Sequence, residues 1–259
     1  MKITRLFIYP IKSLGGVSLS TSAIEQRGLR YDRRYMLVDE KGNFLSQRQM
    51  PELCLFKIAI TQNGFLVNYK HKSLLVPFEL EGPVEQVNIW EDVVDGIMAD
   101  EAYHAWFSEC LGRTVRLVFM GQSSKRAVNK DYALNGEEVS FADGYPILLL
   151  SEASLTLLNS KLTTTIDVDR FRPNVVITGC EAHEEGSFSV FKVGDSLLKR
   201  VKPCARCVVT TINPLTGEAG KEPLYTLATY RMEGNKIMFG ENVLCLQEGE
   251  ISIGDELVF

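Results

Sequence analysis

The chain has 259 residues, 45% hydrophobic and 24% charged, the balance of an ordinary globular protein long enough for one large mixed domain or two sharing an interface. A formal net charge of −5 argues against a general nucleic-acid binder, which carries a basic excess. No stretch approaches the ~20 apolar residues of a membrane-spanning helix, and the apolar run near Met1 is too short for a secretory signal. Six cysteines in that setting suit a reducing compartment, so the chain reads as cytoplasmic, without a membrane partner.

Taken in order, Ile3 to Tyr9 is a β-rich run stopped by Pro10. Lys12 and Ser13 then lie on a loop that turns through Gly15-Gly16, a cation and a hydroxyl suited to a phosphate or to a plain solvated turn. Val17 to Ile24 alternates apolar and polar residues and predicts one strand. Asp32-Arg33-Arg34 leads into a strand through Asp39, with Glu40 to Asn43 as a hairpin turn and Phe44 to Gln47 returning. Leu55–Ile60, Phe65–Tyr69 and Ser73–Val76 predict a meander, followed by a strand at Val84–Trp90. Ala99 to Leu111 has helical spacing closed by Gly112, and Val115 to Met120 is a strand.

After the polar loop from Gly121 to Gly136, a turn through Gly144 and Tyr145 precedes the apolar run Ile147 to Leu150. Ser151 opens a helix carrying Leu155, Leu157, Leu158 and Leu162. Arg172-Pro173-Asn174 comes just before the strand Val175 to Thr178: Arg suits a phosphate fork and Asn an edge with donors and acceptors, although an Arg–Asp169 ion pair explains the arginine equally. Phe188–Val193 and Ser196–Val201 are strands about Gly194-Asp195, and Leu224 to Tyr230 is helical. Phe239 to Asn242 precedes a further strand, and Ile251 to Phe259 ends the chain as a strand broken at Gly254-Asp255.

The most chemical stretch is Lys199 to Arg231. Cys204 and Cys207 form a C-x-x-C among Lys199, Arg200, Lys202 and Arg206, a cationic surround of the kind that favours a thiolate. The β-branched run Val208 to Ile212 predicts a strand that starts at Cys207 and closes at Asn213-Pro214. On spacing alone the pair is a zinc half-site, a redox dithiol, buried thiols, or one ligand to a soft metal held mainly by a cofactor.

Several segments then carry a resemblance. Y-P-I-K-S-L-G-G-V from Tyr9, D-R-R-Y-M-L-V-D from Asp32 with S-Q-R-Q from Ser46, F-R-P-N-V-V-I-T-G-C from Phe171, and K-P-C-A-R-C-V-V-T-T-I-N-P-L-T-G from Lys202 with E-P-L-Y-T-L-A-T-Y-R after it run nearly the length of the chain. Together they resemble the MOSC-domain proteins that include the mitochondrial amidoxime reducing component and bacterial relatives. The resemblance implies a mainly β, α+β fold: an N-terminal β-rich barrel-like domain (1–120) packed on a C-terminal MOSC β-barrel (121–259) with peripheral helices. It implies a molybdenum cofactor bound by Lys12, Ser13, Arg34, Gly144, Tyr145, Arg172, Asn174, Ala205, Arg206 and Asn242, with Cys207 as the catalytic molybdenum ligand. Arg34 takes that role because it precedes the aromatic start of its strand, which leaves Arg33 to pair with Asp32. The activity implied is two-electron reduction of small N-hydroxylated substrates, with electrons from a separate iron–sulfur, flavin or cytochrome-like donor. The alternative is a module that carries or sulfurates the cofactor. Cofactor sulfurases also carry a large pyridoxal-phosphate domain, for which this sequence is too short.

Overall fold

The computed structural model describes residues 1–133 and 135–259. It is mostly strand, with three α-helices at Glu101–Leu111, Glu152–Asn159 and Leu224–Ala228 among the described residues. The largest sheet has the order Leu257–Val258, Val190–Val193, Ser196–Ala205, Lys236–Gln247, Ile147–Ser151, Val175–Thr178, Lys2–Ile8, Val17–Leu19, and Met232–Glu233 flanks Lys236–Gln247. Its one parallel pair among the described residues is Ile147–Ser151 with Val175–Thr178, where the helix Glu152–Asn159 supplies the crossover a parallel pair needs. The sheet also curls back on itself, because Ile3 N donates to Asp255 O (2.9 Å) and Leu257 N to Met1 O (3.0 Å).

Three smaller sheets complete the described molecule. Tyr35–Val38, Arg116–Phe119, Asp92–Met98 and Val84–Ile89 form one, and the meander Lys57–Thr61, Gly64–Tyr69, Lys72–Val76 forms another. The third joins Gly249–Ser252 to Thr21–Glu25 and Gly28–Leu29. Strands from the start of the chain therefore pair with strands near its end as well as with their neighbours in sequence. The principal core is correspondingly continuous, running from Ile3, Leu6 and Ile8 through Tyr35, Phe56 and Phe65 to Val243 and Leu257. Phe56 stacks on Tyr69 at 4.1 Å and meets Phe107 at 5.8 Å, which fixes the helix Glu101–Leu111 against the meander.

Besides the unannounced short strands Gly28–Leu29 and Met232–Glu233, four segments differ from expectation. The strand expected over Val17–Ile24 is broken at Ser20 into two that join different sheets. Asp92–Met98 is a strand that the sequence did not announce: Asp92, Asp95 and Gly96 are poor strand formers, and pairing along the whole of Val84–Ile89 overrides them. Phe239 to Asn242 lies inside the twelve-residue strand Lys236–Gln247 rather than ahead of one. Val208–Thr211 is a 3₁₀ turn and not a strand.

Candidate functional site

The strand Ser196–Ala205 runs antiparallel to Lys236–Gln247, and its register slips between Arg200 and Lys202 and again between Pro203 and Ala205. Those bulges bend the strand end away from the sheet, and Arg206 N makes the last rung to Ile237 O at 2.7 Å. Cys207 is then extended (φ −128°, ψ 178°) and heads the 3₁₀ turn Val208–Thr211. The two threonines hold that turn by bonding backward, Thr210 Oγ1 to Cys207 O (3.0 Å) and Thr211 Oγ1 to Val208 O (2.8 Å). Local hydroxyl bonds of this kind compete with a sheet ladder, which explains why a β-branched run fails to extend. The Cys207 thiol consequently sits on a turn at the wall of a cleft of about 190 Å³.

On the opposite wall the chain leaves the strand Lys2–Ile8 at Tyr9-Pro10. Lys12 N donates to Tyr35 O (2.8 Å), and Ser13 adopts a left-handed φ of 71° that turns its side chain into the cleft lining. Lys12 is 5% exposed; its Nζ donates to Phe141 O (2.8 Å) and pairs with Asp143 Oδ1 (2.5 Å). Burial pulls the Lys12 ammonium down to about 8, and the Asp143 carboxylate only partly offsets this. For Asp143 burial works upward, but Lys12 and Arg48 outweigh it and hold the carboxyl well below the usual carboxylate range. Arg48 Nη2 donates both to Asp143 Oδ2 (3.1 Å) and to Cys207 Sγ (3.2 Å), while its guanidinium lies 4.6 Å over the Trp90 ring.

Of the residues expected at the site, Lys12, Ser13, Gly144, Tyr145, Arg172, Asn174, Ala205, Arg206, Cys207 and Asn242 all line this one cleft. Arg34 does not. Its guanidinium turns to the other side, donating twice to Met120 O (3.2 and 2.7 Å) near Glu25, in a separate pocket. Arg33 takes the cleft position instead, bound to Asp32 Oδ2 (2.6 Å), Asn174 Oδ1 (3.2 Å) and Arg172 O (3.2 Å). The expected ion pair of Arg33 is thus formed, and it aims Arg33 rather than removing it. Burial opposes the charge on Arg33, but Asp32 overcomes it and raises the pKa.

Arg172 forms no ion pair with Asp169. It donates to Leu14 O (2.7 Å), lies 4.1 Å over the Tyr9 ring, and keeps Nη2 without a partner among the described residues. Burial first and the neighbouring Arg33 second lower its pKa to about 10. Asn174 is almost fully committed, accepting from Leu148 N (3.1 Å) and Arg33 and donating to Phe7 O (3.2 Å), so it frames the site more than it presents to it. Asn242 Nδ2 donates to Pro203 O (3.2 Å). Arg206 holds Cys204 Sγ (3.0 Å) and Phe171 O (2.6 Å), and its Nε, like Tyr145 Oη, is unpartnered among the described residues. Arg48 and Asp143 escaped sequence reasoning, although Arg48 lies in the S-Q-R-Q segment. Among the described residues no three His, Cys, Asp or Glu side chains gather to hold a metal, so Cys207 could supply only one of its donors.

Family models match in two blocks, the MOSC N-terminal beta barrel domain over residues 1–114 and the MOSC domain over residues 136–258. The mitochondrial amidoxime-reducing component 1 of Mus musculus is 34% identical, over 98% of this chain and 80% of its own length. The Homo sapiens protein of the same name is 33% identical over 98% and 81%. The chain belongs to the MOSC-domain family that includes these proteins. Among solved structures, the YUAD protein of Bacillus subtilis matches over 99% of this chain and 93% of its own at 13% identity, with a TM-score of 0.47. Both blocks of this MOSC-domain chain furnish the cleft: Lys12, Ser13, Arg33 and Arg48 come from the first and Asp143, Arg172, Arg206 and Cys207 from the second. No helix among the described residues is long and apolar enough to cross a membrane.

Proposed function

We propose that the protein is a molybdenum-cofactor-dependent reductase of small N-hydroxylated compounds, amidoximes and hydroxylamino bases among them. The observation that carries this reading is the convergence of the Cys207 sulfur, with Cys204 nearby, and five buried or half-buried cations in a single cleft, in a chain a third identical to proteins named amidoxime-reducing components. The donor set fits such a cofactor. Lys12, Arg33 and Arg172 offer the charge to neutralise a phosphate without a glycine-rich loop, and the unpaired Arg172 Nη2 and Arg206 Nε are donors awaiting an acceptor. Ser13, Gly144, Tyr145, Ala205, Asn174 and Asn242 would border the pterin, across the seam between parts spanning 1–120 and 121–259. Cys207 would furnish the single protein ligand to molybdenum.

When bound, the cofactor would supply the two-electron redox chemistry. In the overall reaction an amidoxime, two electrons and two protons give the amidine and water, with the N–O bond broken. This chain's share is positional. Arg48 fixes the Cys207 sulfur and carries its charge between that sulfur and Asp143, while Arg206 holds Cys204 aside. The electrons would come from a separate protein, an iron–sulfur or flavin reductase or a cytochrome-like donor.

The deciding experiment is molybdenum and pterin analysis of protein from a host that makes the cofactor, followed by benzamidoxime reduction with a supplied electron donor. Cys207→Ala should abolish reduction with the fold intact, and Cys204→Ala should do much less. Cofactor without reduction would favour a carrier or sulfur-transfer module instead. Equal loss in both variants would indicate a redox dithiol.

A further inference from the structure

The cleft of about 190 Å³ that gathers the candidate cofactor residues does not stand alone. A second cavity of about 280 Å³ adjoins it and shares Gln47, Arg172 and Val209 as walls. One side is the 3₁₀ turn Val208–Thr211 next to Cys207, and the other is the turn Val168–Phe171 packed against it. Val209, two residues beyond the candidate metal ligand Cys207, thus forms part of the wall between the two.

Most polar groups around this second cavity are already committed. Asp167 pairs with Arg5 (2.7 Å), Lys57 Nζ donates to Pro214 O (2.9 Å), and Arg172 donates to Leu14 O. Three are not. Asp169 enters no ion pair among the described residues, Arg170 Nε has no partner there, and Tyr9, only 2% exposed, has an unpartnered hydroxyl. Burial, followed by the neighbouring Asp167, raises the Asp169 pKa, and Arg170 and Lys57 nearby only partly offset this. An acceptor outside any ion pair among the described residues, beside unpartnered donors, calls for a ligand with both kinds of group on one small planar head.

We propose that this second cavity is the substrate compartment and that Asp169 selects N-hydroxylated amidines and guanidines over N-hydroxylated aromatic amines. The inference rests on the reductase reading and deepens it. An amidoxime carries an NH₂ donor beside the nitrogen and oxygen acceptors of its N–OH group. The NH₂ would meet the Asp169 carboxylate, with Arg170 Nε and the Tyr9 hydroxyl free for the acceptors. The product amidinium retains the match to Asp169 and gains a charge-assisted fork, whereas an aromatic hydroxylamine has no second nitrogen to offer the carboxylate.

The test titrates benzamidine and its neutral isostere benzamide into the whole chain by calorimetry, with the molybdenum content of each preparation measured. Wild-type protein should bind benzamidine about tenfold or more tighter than benzamide, since a hydrogen bond to a charged group is worth roughly 1.5–3 kcal/mol. Asp169→Asn should erase that preference at unchanged molybdenum content, and Val209→Trp, which fills the compartment, should remove binding of both. In loaded protein, Asp169→Asn should raise KM for benzamidoxime more than for an aromatic hydroxylamine. Equal binding of benzamidine and benzamide by the wild type, or a preference surviving Asp169→Asn, would overturn the assignment. A benzamidine preference in protein that stays free of molybdenum when made in a cofactor-producing host would instead uphold the compartment and sink the reductase reading, so the two fail separately.

Discussion

At Arg33 the backbone is left-handed (φ 50°), and this one conformation sends Arg33 and Arg34 to opposite sides of the chain. Arg33 reaches the cleft and is steered there by Asp32, whose side chain is fully buried. Arg34 ends under the Met120 carbonyl. A lysine keeps either charge but loses the planar fork that bonds two acceptors at once. Arg33→Lys should therefore lower molybdenum content several-fold, whereas Arg34→Lys should leave it near wild type and cost about 1–3 kcal/mol in urea unfolding, the range for a lost buried charge-assisted bond. The reverse pattern would return Arg34 to the site. The family resemblance, carried by contiguous motifs, nominated half of the residues that line the cleft, Lys12, Arg172 and Cys207 among them, where residue types alone left other readings open. The choice between two adjacent arginines was not legible, since it depends on a backbone angle. Arg48 and Asp143 were not legible either: their meaning arises from a contact spanning 95 positions of sequence.

Among the elements, the loop from Tyr9 to Gly16 does the most to shape the cleft. The Tyr9 ring lies between two guanidinium groups, 4.5 Å from that of Arg33 and 4.1 Å from that of Arg172. Gly16 packs so closely that an added Cβ would come within 2.5 Å of Tyr9 Cε1 and 2.9 Å of Cδ1. The glycine pair that read as a simple turn signal thus also seats the ring that spaces two site arginines. Gly16→Ala should push Tyr9 and both guanidiniums out of place, reducing molybdenum content and phosphate binding by the cofactor-free protein, and Gly16→Ala with Tyr9→Leu should recover neither. Normal loading of Gly16→Ala would show that the ring does not position the arginines. Hydrophobic periodicity found most of the other elements, the meander by alternation and by helical spacing the helix closed by Gly112, whose φ of 64° favours a residue without a side chain. It failed at Val208–Thr211, where threonine hydroxyls fold the chain back on itself, and at Asp92–Met98, where pairing alone makes the strand.

Over the whole molecule, strands of the two family blocks are hydrogen-bonded to each other. Lys2–Ile8 bonds to Val175–Thr178 along one edge, Thr21–Glu25 bonds to Gly249–Ser252, and Met1 and Ile3 bond to Leu257 and Asp255. Removing residues 1–120 would leave Val175–Thr178 as an open edge and uncover the fully buried Val176 and Ile177, and it would take Lys12, Ser13, Arg33 and Arg48 from the cleft. A chain of residues 121–259 should accordingly show little amide protection at 175–178, aggregate readily, and bind no molybdenum cofactor. The intact chain should unfold in urea as one cooperative transition whether followed by tryptophan fluorescence, which reports on Trp90 and Trp106 in the first block, or by backbone exchange in the second. Two separated transitions, or a soluble 121–259 fragment with protected strands, would mean that the second block folds alone and that the shared strands only dock. Cooperative unfolding would tie function to the same seam, because the cations and Cys207 meet only when both ends of the chain are in place.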